Sequence, residues 1–372
     1  MKLLKFESLK AINSVKNLSL ILVLILVTIG HLFFLQNISS SHWNNNLNLI
    51  NDNIQILNQS LAQVENDYQN TTSEENKAKL SEVMNNFDEQ IQRLEIQQEA
   101  FKSNDYKTYW TLATEGQKAH LESDGNINQE FVDRIAIVDY LNDKNLPFER
   151  NLDLPVTGWG VLGQIMRQFS GTIFMLLFII LLSDIMSNEF KNNSFSLFHF
   201  TVQDKSKIIV SKTFSNTFIL WMIILLILFG VFLAFGIING FGTPLYPIAI
   251  KGATETIVAP IWQILILFVV YFLIVLITLA SLAILIGWLT KNDLLTTGLL
   301  VLGYYGYNLI IELPFMAQVK WFIPLTYLNS YEVLTQSPFS SLGKSFLIGL
   351  GILLLTNVVL YLINRNLIKR GS

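Results

Sequence analysis

The chain has 372 residues, 51% hydrophobic and only 14% charged, with a mean hydropathy of +0.44 and no cysteine. Soluble domains carry about 25% charged residues, so this balance disfavours a soluble globular enzyme and excludes a disordered chain or a disulfide scaffold. The formal charge of −3, from 25 basic and 28 acidic residues, names no partner by itself, and a metal centre built on thiolates is impossible.

Residues 1–17 read as a short amphipathic helix lying at a membrane surface: Lys2, Lys5 and Lys16 fall in one arc of a helical wheel, opposite Leu4, Ala11 and Val15. The first apolar run then predicts a membrane span over 18–35. Its core of about 18 residues exceeds a signal-peptide core, and no small-x-small site follows it, so it reads as an uncleaved anchor.

The block 36–160 is the one large polar region. Leu47, Ile50, Ile54, Leu57, Leu61, Val64 and Tyr68 recur at unbroken 3,4 spacing, and the pattern resumes at Leu80, Met84, Phe87, Ile91, Leu94 and Phe101 after the polar stretch 69–77. These heptads predict two helices joined by a turn of about ten residues, forming an antiparallel coiled-coil hairpin. Shorter helices are expected at 106–122 and 128–144, the second capped by Asn126 or Asn128. Pro147 and Pro155 mark an extended return.

A helix rising 1.5 Å per residue needs about 20 apolar residues to cross the hydrocarbon. Further runs therefore predict spans at 161–184, 213–237, 260–288, 294–311 and 345–363. The expected fold is all-α, a polytopic membrane protein with six transmembrane helices and a helical-hairpin domain outside. Twelve basic residues flank one side of these spans against five acidic ones, a net +7, whereas 36–160 carries nine basic and twenty acidic residues, a net −11. Basic flanks face the cytoplasm. Both termini, the loop 185–212 and the tail 364–372 are thus expected inside the cell membrane, and 36–160 and the segment 312–344 outside.

Catalytic constellations are lacking in the sequence. His31, His42, His120 and His199 fall in no H-E-x-x-H spacing, and no G-x-S-x-G or G-x-G-x-x-G occurs. Gly343-Lys344-Ser345 resembles the end of a phosphate-binding loop, but the glycine such a loop needs would be at 338, which is Pro338. No catalytic or metal-ligating residue is assigned, and no nucleic-acid partner is expected. Ionisable and aromatic groups at the spans are candidates for a substrate path: Arg167, Tyr304, Tyr305, Tyr307, Asn308 and Glu312. Snorkelling of Arg167 and an interfacial aromatic belt are the plainer explanations of the same residues.

The loop from Glu189 to Lys212 is too apolar for a solvated connector, with Phe195, Leu197, Phe198, Phe200 and Val202 close together. Ser194 or Asn193 caps a short helix there, and Lys205, Lys207 and Lys212 follow, so the loop reads as a protein docking surface or a helix on the inner leaflet. Here the chain resembles the permease subunits of ABC transporters of the ABC-2 type. The resemblance rests on the six spans, the surface helix before them, and the loop pattern Glu189, Ser194, Leu197-Phe198, Lys205 and Lys212. Asn193 stands where the family has Gly, and Thr201 where it has Pro. Trp321–Leu328 is similar to the family's partly re-entrant outer segment.

The resemblance implies two permease copies or homologues with two ABC ATPase subunits, ATP and Mg being bound by the ATPase and no cofactor by this chain. The 189–212 loop would couple the ATPase to export of an amphipathic substrate: an antimicrobial or signalling peptide, a lipid or a drug. The Asn-, Ile-, Leu- and Lys-rich composition suggests a Gram-positive source. A membrane sensor or immunity protein acting through the outer hairpin, and a secondary transporter, are the alternatives.

Overall fold

The structure, a computed structural model, describes residues 2–124, 128–191, 206–252, 256–311, 313–316, 319–336 and 341–370. Six of its helices are long and apolar enough to cross a membrane: Val15–Asn70, Thr172–Lys191, Lys207–Asn239, Ile261–Thr290, Asp293–Ile311 and Leu342–Lys369.

Helix α1 (Lys2–Asn13) is parted from α2 (Val15–Asn70) by Ser14, whose hydroxyl caps α2 by accepting from the Asn17 N–H. The surface helix thus ends at Asn13 rather than at 17. Helix α2 does not stop where its apolar half ends. Residues 31–70 contain neither Pro nor Gly, so the span continues without interruption as the first arm of the hairpin.

The second arm, α3 (Glu74–Ser103), returns beside it, with Gln98 and Asn51 hydrogen-bonded across the pair. Only residues 71–73 connect the arms, against the ten-residue turn expected from the polar stretch 69–77. Polar residues at an exposed tip are as well solvated in a helix as in a loop, and Glu74 and Glu75 lie where the positive helix end favours acid. Asp105 caps α4 (Tyr106–Asp124) through the Thr108 N–H, and Asn128 caps α5 (Gln129–Asp143) through the Glu130 N–H. Asn126 lies outside the described residues.

At the hairpin base Trp43 stacks on Phe101 with ring centroids 4.3 Å apart, and Tyr106 and Tyr109 meet it edge-on. Ile137, Val138, Leu141 and Leu152 close this cluster. Further out, no third layer among the described residues covers the heptad seam. It is half-buried along its length, and Tyr68 near the tip is exposed.

The run 161–184 is not one span. Helix α6 (Gly158–Phe169) ends at Ser170–Gly171, where the Ser170 hydroxyl accepts from the Tyr331 N–H at 3.0 Å and Gly171 starts α7 (Thr172–Leu182). Helix α8 (Asp184–Lys191) extends α7, so the stretch long and apolar enough to cross a membrane is Thr172–Lys191. An apolar run carries no mark of such a break, because α6 is buried as thoroughly as a span.

After α9 (Ser206–Asn239) comes a departure from the all-α expectation. Strands β1 (Pro247–Lys251) and β2 (Thr256–Pro260) pair antiparallel, with Ile250 opposite Ile257. The two short runs rich in β-branched residues adjoin longer apolar runs, which hid them. Helix α10 (Ile261–Thr290) is the centre of the bundle: Ile264, Phe268, Tyr271, Val275, Leu276, Ala280 and Ala283 have no exposed surface. Apolar on every side, it packs against α6–α9, against α11 (Asp293–Ile311), and against α13 (Leu342–Arg370). Outward, Leu22, Leu226, Leu302 and Leu355 lie exposed on α2, α9, α11 and α13. A dry centre inside a continuous apolar exterior is the pattern a bilayer stabilises and water does not.

Between α11 and α13 the chain makes three 3-10 turns and α12 (Ser330–Thr335). It folds back onto the bundle, burying Tyr327, Leu328, Val333 and Leu334, with the Tyr271 hydroxyl donating to the Tyr327 carbonyl at 3.0 Å.

Candidate functional site

Two of the residues expected in the coupling loop are not on its surface. Glu189, near the end of α8, and Lys212, in the second turn of α9, are 1% and 2% exposed and meet at 2.6 Å. The Lys212 ammonium also reaches Glu7 of α1 at 3.1 Å, and Lys10 of α1 pairs with the same Glu189 oxygen. Among the described residues, two cations and two carboxylates thus meet around a small cavity of about 40 Å³, which Asn17 and Asn216 also line. Around it, Lys16 pairs with Asp184 at 3.1 Å and Lys191 with Asp293 at 3.8 Å. Ion pairs therefore join α1, α2, α8, α9 and α11 at one end of the bundle.

Separating two charges that have left water is costly in either direction: the pair must stay together, or each partner is stranded. The cluster consequently fixes the end of α8 relative to the start of α9. Ser194, Leu197, Phe198, Phe200 and Lys205 lie outside the described residues. Lys207 lies in the first turn of α9, exposed and apart from the buried cluster. Sequence reasoning missed Glu7 and Lys10. The available signal was that Glu7 is the only acidic residue in 1–17, on the lysine-rich helix.

The aromatic row of α11 faces inward. Tyr304 and Tyr307 are buried. Tyr305 donates to the Thr172 carbonyl at the start of α7, the Tyr307 and Thr326 hydroxyls share a hydrogen bond, and Asn308 is half-buried beside them. These hydrogen bonds hold α11 to α7 and to the 3-10 turns. Glu312 lies outside the described residues.

Arg167 is placed elsewhere, exposed on α6 and without an ion pair among the described residues. It borders a cleft of about 480 Å³ between α6, α12, the strands and the hairpin domain, together with Gln164, Asp133, Arg134, Tyr246 and Lys251. The floor is tied by hydrogen bonds: Gln164 donates to the Asp153 carbonyl at 2.9 Å, and the Tyr246 hydroxyl donates to the Leu152 carbonyl at 3.1 Å. Beside it the Glu149 carboxylate accepts from the Val156 N–H at 3.1 Å and from the Thr157 hydroxyl. Burial raises the Glu149 carboxyl above its ordinary value in spite of these donors. A methyl group on Gly160 would lie 2.5 Å from the Pro155 Cβ and 2.9 Å from the Glu149 Oε1, so only glycine fits there. The cleft therefore has hydrogen-bonded walls of mixed charge.

Among the described residues, no group of three His, Asp or Glu side chains is arranged to hold a metal ion. No protein-family model, curated protein or solved structure matches the chain.

Proposed function

We propose that this chain is the permease subunit of an ATP-driven exporter of the ABC-2 type, moving an amphipathic peptide, lipid or drug outward. The charge-rich end of the bundle faces the cytoplasm and the hairpin domain lies outside. Two permeases, identical or homologous, act with separate ABC ATPase subunits that bind ATP and Mg and supply the hydrolysis. The observation that carries this reading is the buried Glu7–Lys212–Glu189 cluster. A loop that receives force must be anchored on both sides, and the cluster ties α8 and α9, the helices on either side of the loop, to each other and to α1. Pressure on that loop moves α8 and α9 as one body, and with them the central helix α10 packed against both.

The test is co-purification from the native host. An ATPase subunit is expected to accompany the wild-type chain and to be lost from a Phe198→Asp/Phe200→Asp variant that still inserts in the membrane. A complex that survives both changes, or no ATPase in either preparation, overturns the reading.

A further inference from the structure

The hairpin domain contains a second cleft, of about 440 Å³, on the other side of Arg134 from the one that borders Arg167. Its walls come from α2, α3, α4, α5 and the 151–153 turn, so the base of the hairpin encloses it on several sides. Within a domain of net charge −11 its charged groups are Arg93, Arg134 and Asp153, a local excess of positive charge.

The hydrogen-bonding capacity of this wall is not used up. Arg134 gives one terminal nitrogen to Asp153 at 2.7 Å and lies 5.6 Å from the Trp110 ring centroid, yet its Nε is buried without a partner. The Gln117 Oε1 is likewise buried and unpartnered. Arg93 makes no ion pair among the described residues. An orphaned buried donor and acceptor each carry the cost of lost hydration with no return. A ligand able to satisfy both recovers that cost. Beside these groups Tyr109, Leu112 and Phe131 form an apolar wall.

We propose that this cleft binds an amphipathic carboxylate. Arg93 and the free edge of Arg134 take the carboxylate, a neighbouring N–H or O–H donates to Gln117, and an apolar arm lies along Tyr109, Leu112 and Phe131. Guanidinium groups match the planar carboxylate in both geometry and charge. A peptide C-terminus carries this chemistry, with its own amide N–H beside the carboxylate, whereas a free fatty acid supplies the carboxylate and the apolar arm but no donor for Gln117. Headgroups still in the bilayer are out of reach: Asn46 and Asn53 on the cleft wall lie roughly 16 to 27 Å along α2 beyond residue 35, at 1.5 Å per residue.

The site needs no ATPase, so it is tested on the purified chain alone and stands or falls separately from the export reading. Binding of a Leu-Leu-Phe tripeptide, its C-terminal amide and octanoate is measured by calorimetry in detergent micelles. Binding of the tripeptide, weakened roughly 10- to 100-fold by Arg93→Gln, supports the proposal, and octanoate, which has no donor for Gln117, is expected to bind more weakly. Arg93 has no structural partner, so this variant is expected to keep the wild-type melting temperature. Gln117→Glu, which sets a like charge against the ligand, is expected to weaken binding as well, whereas Lys144→Gln, away from the cleft, leaves it unchanged. Equal binding of the amide or of octanoate, no binding of the tripeptide, or insensitivity to Arg93→Gln overturns the proposal.

Discussion

Lys212 is the residue on which most of the charged end depends. Replacing it by Met leaves Glu7 buried, at 3% exposure, with its cation gone, and Glu189, at 1%, with Lys10 in place of two cations. Stranding a buried charge in this way costs about 3–5 kcal/mol. The Lys212→Met variant is therefore expected to melt well below wild type when tryptophan fluorescence is followed in detergent. A Lys212→Met/Glu189→Gln/Glu7→Gln variant, with no stranded carboxylate, is expected to regain much of the loss. If the single variant melts like wild type, the cluster does not clamp the helices. Glu149 gives a second test, one of pH. Burial raises its carboxyl above the ordinary value of 4.5, so the native state holds the proton more tightly than the unfolded chain. The stabilising effect is fully present below the unfolded value and is lost as pH rises through the folded one. Between about pH 5 and about pH 8 the wild-type melting temperature should fall more steeply than that of Glu149→Gln, whose amide keeps an acceptor for the Val156 N–H and a donor for Thr157. Parallel slopes would remove Glu149 from the account.

At the scale of elements, the uninterrupted α2 joins the membrane bundle rigidly to the hairpin. Ser40 is exposed on this helix, five residues beyond the predicted span. Ser40→Pro removes the hydrogen bond to the carbonyl of residue 36 and kinks the helix, at a local cost of about 3 kcal/mol. New proteolytic cleavage near residue 40 is expected, with the 172–191 segment still protected and Ser40→Ala as resistant as wild type. The two halves of α2 were each legible in the sequence, one as an apolar run and the other as heptads. Their fusion was not, because a change of composition resembles a boundary even when the backbone has no reason to break. The opposite happened at Ser170–Gly171, where uniform composition concealed a break set by a tertiary contact from Tyr331. The β-hairpin escaped for a related cause: five-residue strands beside a 30-residue apolar helix give no period of their own. At the charged end, Glu189 and Lys212 could be singled out from the loop pattern. Their burial could not, since it depends on Glu7, 205 residues before Lys212.

For the whole molecule, the decisive division is between a base that folds the hairpin domain and arms that project from it. The Trp43–Phe101 stack, the α5 contacts and the carboxylate cleft all lie between the membrane bundle and Ile54 on α2. Beyond that level the seam is half-buried and no third layer among the described residues supports it. Removing 57–70 and 74–87 takes two heptads from each arm, keeps the seam in phase across the native 71–73 turn, and shortens the projection by about 21 Å. This variant is expected to insert and melt as wild type does, and to retain whatever affinity the cleft has, because Asn53 and Arg93 remain in place. On the proposed reading, export from cells is then the informative readout. Unchanged export would confine the substrate path to the base and the bundle. Export lost with binding intact would make the distal arms a contact for something outside this chain. A fall in melting temperature comparable to that of Lys212→Met would show the arms to be part of the folding core, contrary to the burial seen along them.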